Sequence, residues 1–590
     1  MLKKIPYCIF ILGLLTCHTA IQKKSLKPNV ILILTDDQGY GDVGIHGNDS
    51  IRTPVQDLLA MEGIRMDNFY VSPVCAPTRA SLLTGRYHYR TGTTWVTRNA
   101  ESMRTEEVTL AEVFKANGYA TGCFGKWHNG AHYPENPNGQ GFDTFTGFCG
   151  GHWNQYINPT LEVNGKKIKT KGYIADIFTD SAMAFITRQV LKDTPSFTYI
   201  PYNTPHTPFI APPKLFEKYK QQGLTDRIAS TYGMIENIDY NIGRLLKHLE
   251  KVNVLENTLV IFMTDNGPNY DRYNANMKGR KGSIHDGGVR VPCFFYWKGT
   301  LQSGQISKQL TSHIDILPTL VDLLDLKEVE TLPLDGISFA ELLTGQVDTL
   351  PLRVVQTFSI NQNKNKGAVR TQQYRLTFSG KGKPQLTELL ADPAEKNELS
   401  ELVYGNIIQL LQEAYLEAYK EVTKEVAYYH PIPVGYPESP LVELPAHEGF
   451  PEGTVKYKTA HWGWCNDWFT NWATTSDTMQ WKLAVKTAGM YKISIEYACS
   501  EKSVGHPISI KCGEQIVNNS FKNSFKSKYI EDYEQVPREV EADEKTWAVQ
   551  EIGNIYLQKG SQNIELFTPK NSTNKDQIAE VKSLILDYTY

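Results

Sequence analysis

The residues best equipped for chemistry lie in Val74-Cys75-Ala76-Pro77-Thr78-Arg79-Ala80-Ser81-Leu82-Leu83-Thr84-Gly85-Arg86. The spacing Cys-x-Pro-x-Arg-x-x-x-x-Thr-Gly sets a thiol two residues before a proline and four before a guanidinium. Proline is tolerated in a first helical turn, so a helix is expected to begin here with Cys75 at its mouth. A group at that place meets the positive end of the helix dipole and unpaired backbone N–H groups, which favour an anion. Taken alone, a cysteine is more often a buried structural thiol. A second set of residues offers only oxygen: Asp36 and Asp37, and far downstream Asp265 and Asn266. Adjacent carboxylates next to a buried element repel each other and lose solvation, a cost that a bound cation offsets. An all-oxygen donor set suits a hard divalent ion, Ca2+ ahead of Mg2+ because the ligands are many and supplied by the protein.

Four apolar runs are positioned to bring these groups together. Asn29 to Leu34 and Asn257 to Met263 are continuous and apolar, as parallel strands buried on both faces are, and they end in Thr35-Asp36-Asp37 and Thr264-Asp265-Asn266. Tyr119 to Phe124 runs into Gly125-Lys126-Trp127-His128, and Ser196 to Ile200 ends near Asn203-Thr204-Pro205-His206. Functional groups in open α/β sheets gather beyond the carboxyl ends of the strands, so these four endings are expected to meet. Between the runs, Arg227 to Leu249 has the period of an amphipathic helix that covers a sheet.

The Cys75 segment resembles the signature of the type I sulfatases, of the alkaline phosphatase superfamily. In that family the cysteine is oxidised to formylglycine (3-oxoalanine), an aldehyde whose hydrate is the nucleophile. Gly125-Lys126-Trp127-His128 matches a further family motif. Lys278-Gly279-Arg280-Lys281-Gly282-Ser283-Ile284-His285-Asp286-Gly287-Gly288-Val289-Arg290 is similar to the family's Lys-Gly-x-x-x-Glu-Gly-Gly-x-Arg, with Asp286 where glutamate is commoner. The resemblance implies a metal site of Asp36, Asp37, Asp265, Asn266 and the modified Cys75, and a sulfate held by Lys126, His206 and Lys281. It also implies that His206 protonates the leaving alcohol, that Arg79 holds the hydrate, and that His128 takes the proton that expels sulfate. His152 and Arg272, in loops flanking the strand ends, are expected to touch substrate. A thiolate phosphatase would need arginine six residues after the cysteine, and position 81 is serine.

The 590 residues exceed one ordinary core, so several domains are expected. Net charge of −3 and 41% hydrophobic residues exclude a disordered chain and a broad nucleic-acid footprint. Residues 1–22 read as an export leader: Met1-Leu2-Lys3-Lys4 is basic, and the apolar run after it is too short to span a bilayer. Leu14-Leu15-Thr16-Cys17 resembles a lipobox with Cys17 as the lipid carrier, against ordinary cleavage near Ala20. The expected place is therefore the periplasm or cell surface, with membrane attachment only through a lipid. Residues 27–350 are assigned to a catalytic α/β/α sandwich of alkaline-phosphatase type and 351–430 to a small α+β subdomain. Six prolines between His430 and Pro451 mark 431–454 as a linker, and alternating strands make 455–590 a β-sandwich that looks like a carbohydrate-binding module. Trp462, Trp464, Trp468 and Trp472 would stack on sugars or fill its core. Cys123, Cys149, Cys293, Cys465, Cys499 and Cys512 lack metal-type spacing and read as buried thiols, with a C-terminal disulfide left open.

The expected activity is hydrolysis of a sulfate ester on an oligo- or polysaccharide, after a formylglycine-generating enzyme has converted Cys75. The rivals are a phosphodiesterase or phosphonate hydrolase of the same superfamily and a non-catalytic glycan-binding surface lipoprotein.

Overall fold

The computed structural model describes residues 27–589 apart from 328, 361, 390, 393, 425, 427, 428, 460–462, 531, 532, 540, 542 and 570–576. The leader, Cys17 and Trp462 lie outside these residues. Among the described residues no helix is long and apolar enough to cross a membrane.

A ten-stranded mixed sheet carries the N-terminal part. At its centre Thr258–Thr264, Asn29–Thr35, Ser196–Pro201 and Ala120–Lys126 lie side by side, all parallel, with Thr144–Phe148 as the next parallel neighbour. These are the four apolar runs of the sequence, and their endings fall along one edge. Asn29–Thr35 is buried throughout. Val30, Leu32 and Leu34 pack on one face against Leu82 and Leu83 of the helix Cys75–Thr84 and against Leu317. Ile31 and Ile33 pack on the other against Phe178, Met234 and Ile238, from the helices Ile174–Leu191 and Asp226–Lys251. Alternate residues of one strand thus feed two helical layers, which is why the run shows no polar alternation. The result is an α/β/α sandwich.

A four-stranded antiparallel sheet, Val355–Phe358, Lys366–Arg370, Tyr374–Ser379 and Gln385–Glu388, packs on the helix Glu401–Val422 as a small α+β unit. Beyond it two six-stranded sheets close on a shared core that includes Trp472, Trp481, Ile493 and Leu584. The stretch 431–454 is not a linker. Ile432–Val434 and Phe450–Glu452 pair with Thr478–Val485, and Leu441–Pro445 pairs with Ala579–Thr589. Its prolines fit because Pro433 lies in an edge strand and Pro445 ends one, where a missing N–H costs little. Trp468 and Trp472 are buried in the sandwich, and all seven cysteines among the described residues are buried and unpaired.

Candidate active site

The side chains predicted from the sequence arrive from the ends of the central strands, from the helix mouth beside them and, for Lys281, from a loop beyond Thr258–Thr264. Asp36 and Asp37 follow Asn29–Thr35, Asp265 and Asn266 follow Thr258–Thr264, and Lys126 closes Ala120–Lys126. Cys75 opens the helix Cys75–Thr84 and is 3% exposed. One atom each of Cys75, Asp36 and Asp265 lie within 4.8 Å of one another, and Asp36, Asp37 and His206 form a second such group. Two backbone positions are bent to achieve this: Asp37 and His128 have φ of 66° and 65°, the left-handed region that costs a residue with a Cβ. Gly267 is needed for a close approach. A Cβ there would fall 1.9 Å from the Gly287 carbonyl, and this contact brings the loop bearing Lys281 against Asp265 and Asn266.

Arg79 is the hub. It is fully buried, and its Nε and Nη2 donate to Asp265 Oδ2 at 3.2 and 2.8 Å, its Nη2 to Asp36 Oδ2 at 3.4 Å and its Nη1 to the Lys126 carbonyl at 2.7 Å. Lys126 Nζ stands 2.5 Å from Asp36 Oδ2, and Lys281 Nζ 2.6 Å from Asp37 Oδ1. Asn266 Nδ2 donates to Asp37 Oδ1 at 2.8 Å, and His206 Nε2 lies 3.8 Å from Asp37 Oδ2. Burial alone would raise the Asp36 carboxyl, but Lys126, His206, Arg79 and Lys281 hold it far below the usual carboxylate range. Burial, and then the adjacent Asp36, push Asp265 upward. Burial raises the Cys75 thiol despite Lys126 and Lys281, so at neutral pH the unmodified side chain is a thiol, a poor nucleophile.

The donor set fits a hard divalent cation. Among the described residues Asp36 Oδ1, Asp37 Oδ2 and Asn266 Oδ1 are buried oxygens with no hydrogen-bond partner, a cost of about 1–3 kcal/mol each unless an ion takes them up.

His128 is buried, with Nε2 2.9 Å from the Val96 carbonyl and Nδ1 without a partner among the described residues. A carbonyl only accepts, so Nε2 carries the hydrogen and Nδ1 presents a lone pair. His152 is buried with Nε2 unpartnered among the described residues. Arg272 does not serve as the expected substrate contact. Its guanidinium is fully buried and spent on Asp42 at 2.7 Å, the Asp37 carbonyl at 2.7 Å and Asn269 at 3.1 Å, over the Tyr270 ring. It ties down the strained turn at Asp37. An Arg272→Ala chain is expected to lose about 3–5 kcal/mol in denaturant unfolding, because Asp42 is left buried and unpaired. A raised KM with unchanged stability would restore it as a substrate contact.

The sequence reading missed the wall that faces these groups. A cavity of about 210 Å3 is lined by Asp37, His206, Lys281 and Arg227, and opposite them by Arg538 and Glu541 of the C-terminal sandwich. The segment carrying the last two is docked by Gln535. Its backbone N–H donates to the Phe209 carbonyl at 2.9 Å, and its side chain exchanges hydrogen bonds of 2.8 and 3.1 Å with Ala211 and accepts one of 2.9 Å from Ser230. Thr207 Oγ1 donates to Glu541 at 2.9 Å, Arg538 donates to Asn154 at 2.7 Å, and Arg227 pairs with Glu539. One signal was available: the connection between the strands Gln515–Ser520 and Ala548–Leu557 is far longer than a hairpin needs, and long connections commonly carry function. Gln535→Ala is expected to raise KM about tenfold, the worth of roughly one net hydrogen bond to the wall, with kcat little changed. Steady-state kinetics decide it, and an unaltered KM would dissociate the wall from binding.

A mixed α/β sheet whose parallel centre carries three carboxylates, an amide oxygen and three fixed cations at its carboxyl edge fits a hydrolase of anionic esters with the alkaline-phosphatase-like fold. Comparison with known proteins narrows the class. Residues 28–326 match the family model described as Sulfatase. Human arylsulfatase A is 30% identical over 488 residues, which is 72% of this chain and 93% of that protein. Human N-acetylgalactosamine-6-sulfatase is 33% identical over 362 residues, covering 55% of this chain and 67% of that one. Among solved structures, Ps i-CgsB in complex with k-i-k-neocarrahexaose is 30% identical with a TM-score of 0.64, over 68% of this chain and 95% of the other. Some curated relatives are spanned over a smaller share of their length, 65% in one case. The chain belongs to the sulfatase family and is a sulfuric ester hydrolase.

Proposed function

We propose that this enzyme removes sulfate from a sulfated carbohydrate, using a formylglycine made from Cys75 and a divalent cation held by Asp36, Asp37, Asp265, Asn266 and residue 75, Ca2+ ahead of Mg2+. The observation that carries the reading is the cluster of unpartnered Asp36, Asp37 and Asn266 oxygens beside Cys75, faced by Lys126, His206 and Lys281. When present, the cation neutralises charge on the sulfate oxygens and the aldehyde supplies the nucleophile. Lys126 and Lys281 hold the sulfate oxygens through ammonium groups kept in place by Asp36 and Asp37. His206 Nδ1–H donates to the Thr207 carbonyl at 2.8 Å, so Nε2 faces the substrate, and in the imidazolium form of the ring it delivers its proton to the departing alcohol, leaving the neutral Nδ1–H tautomer. Arg79 keeps its fork on Asp265 and Asp36 and fixes the helix mouth. His128 Nδ1 takes up the proton in the step that frees sulfate.

Carbohydrate is favoured as the rest of the substrate. The pocket is small and lined by paired Arg and Glu side chains, groups that hydrogen-bond hydroxyls, beside the Phe209 and Tyr270 rings, on which a sugar ring can stack. A relative named for an amino-sugar sulfate and a neighbour crystallised with an oligosaccharide point the same way. The basic and apolar leader supports export to the periplasm or cell surface, lipid attached or free, where a sulfated glycan would be met.

Mass spectrometry of the peptide containing residue 75, together with sulfate and phosphate release from matched esters, tests the reading. An aldehyde mass and faster sulfate release from sulfated oligosaccharides are expected, whereas preferential phosphate release would hand the site to the phosphodiesterase alternative.

Burial, and then Lys126, keep the His128 imidazole well below its ordinary value near 6.5. It therefore stays neutral as pH falls through that value, and the acid limb of kcat due to this base is expected well below pH 6.5. The same depression lets the unfolded chain bind the proton first, so His128 subtracts stability as pH falls below 6.5. A kcat profile that loses activity near pH 6.5 in wild type, and equally in His128→Ala, would remove His128 from the role.

A further inference from the structure

A second group of buried donors lies where the catalytic domain meets the C-terminal sandwich. Glu101, His132 and Glu135 come from the catalytic domain, and His447 and Glu448 from the turn Ala446–Glu448 of the sandwich. All five are between 2% and 8% exposed. One donor atom each of Glu101, His447 and Glu448 lie within 4.8 Å of one another. His132 Nε2 is 2.7 Å from Glu448 Oε2, and His447 Nε2 is 3.9 Å from Glu448 Oε1.

Two further observations point to a ligand. Glu101 Oε2, Glu135 Oε2 and His447 Nδ1 are buried atoms without a hydrogen-bond partner among the described residues. No lysine or arginine among those residues forms an ion pair with Glu101 or Glu135, in contrast to the active-site carboxylates, each of which faces one. Buried carboxylates are ordinarily paired or coordinate a metal. Here the pairing supplied by the protein is two imidazoles, His132 and His447, both set against Glu448.

We propose that Glu101, His447 and Glu448 form a cation site distinct from the catalytic one, which binds a divalent transition ion and clasps the sandwich to the catalytic domain. Imidazole together with carboxylate is the donor mixture that Zn2+ accepts, whereas Ca2+ takes oxygen alone. His132 stands as the outer partner that orients Glu448. The site joins the main chain near the nucleophile: Asn129 Nδ2 donates to the Glu101 carbonyl at 3.3 Å and to the Ala76 carbonyl at 3.1 Å.

The test uses the full chain stripped with chelator and reloaded with Co2+, a spectroscopic stand-in for Zn2+. Asp36→Asn serves as the background that disables the catalytic site. One Co2+ per chain is expected in Asp36→Asn, with the intense visible bands of a nitrogen-ligated, low-coordinate ion. It is expected to fall to none in Asp36→Asn/His447→Ala, and wild type is expected to hold the same coloured ion. Absence of bound Co2+ from Asp36→Asn, or the same bands after His447→Ala, overturns the proposal. Should the double variant fail to fold, the wild-type spectrum decides: weak bands of an all-oxygen octahedral ion alone would refute it.

Discussion

A Cys75→Ala chain is expected to fold normally and to release sulfate about 10^5-fold more slowly than the matured enzyme, the scale on which removing a covalent nucleophile acts. The fold should survive because Cys75 is small and heads a ten-residue helix whose cap it does not supply, so losing the sulfur costs about 1 kcal/mol or less. Activity should not survive because no neighbour can substitute. Lys126 and Lys281 are committed to Asp36 and Asp37, and Arg79 is an unreactive cation spent on Asp265. Sulfate release beside a thermal melt measures both halves. Residual turnover within tenfold of wild type would end the nucleophile assignment.

Arg79→Ala carries the second large effect, and it falls on stability as well as rate. The guanidinium satisfies Asp265, Asp36 and the Lys126 carbonyl, all without solvent. Removing it leaves two carboxylates buried with one cation fewer, a loss of about 3–5 kcal/mol. Turnover should fall about 10^3-fold, since the carboxylates and the carbonyl that fix Lys126 lose their common anchor. Added Ca2+ should recover part of the stability by binding the native state alone. Arg79→Lys should recover charge but not rate, because an ammonium cannot span three acceptors as the planar fork does. Equal melting temperatures for wild type and Arg79→Ala without added metal would contradict this account.

The central site was legible because a parallel strand buried on both faces is written as an unbroken apolar run, and the residue after such a run lies at a known edge of the sheet. Asp36, Asp265 and Lys126 could therefore be placed together across more than 200 residues. Arg272 was misread because charge and loop position do not reveal that Asp42 and the Asp37 carbonyl already claim it. The prolines of 431–454 were misread because proline density is the same in a spacer and in edge strands. Gln535 and Glu541 stayed hidden because their partners, Ala211 and Thr207, lie more than 300 residues away and share no periodicity with them.

The docking of that segment has an evolutionary corollary. An accessory module on a flexible tether can be exchanged between enzymes like a cassette, leaving catalysis intact and altering only where the enzyme goes. Here the module lends side chains to the reaction chamber itself. Recombination that replaced it would remodel the chamber, so the two parts are expected to have diversified as a pair, with new substrate ranges arising from point changes in the shared rim.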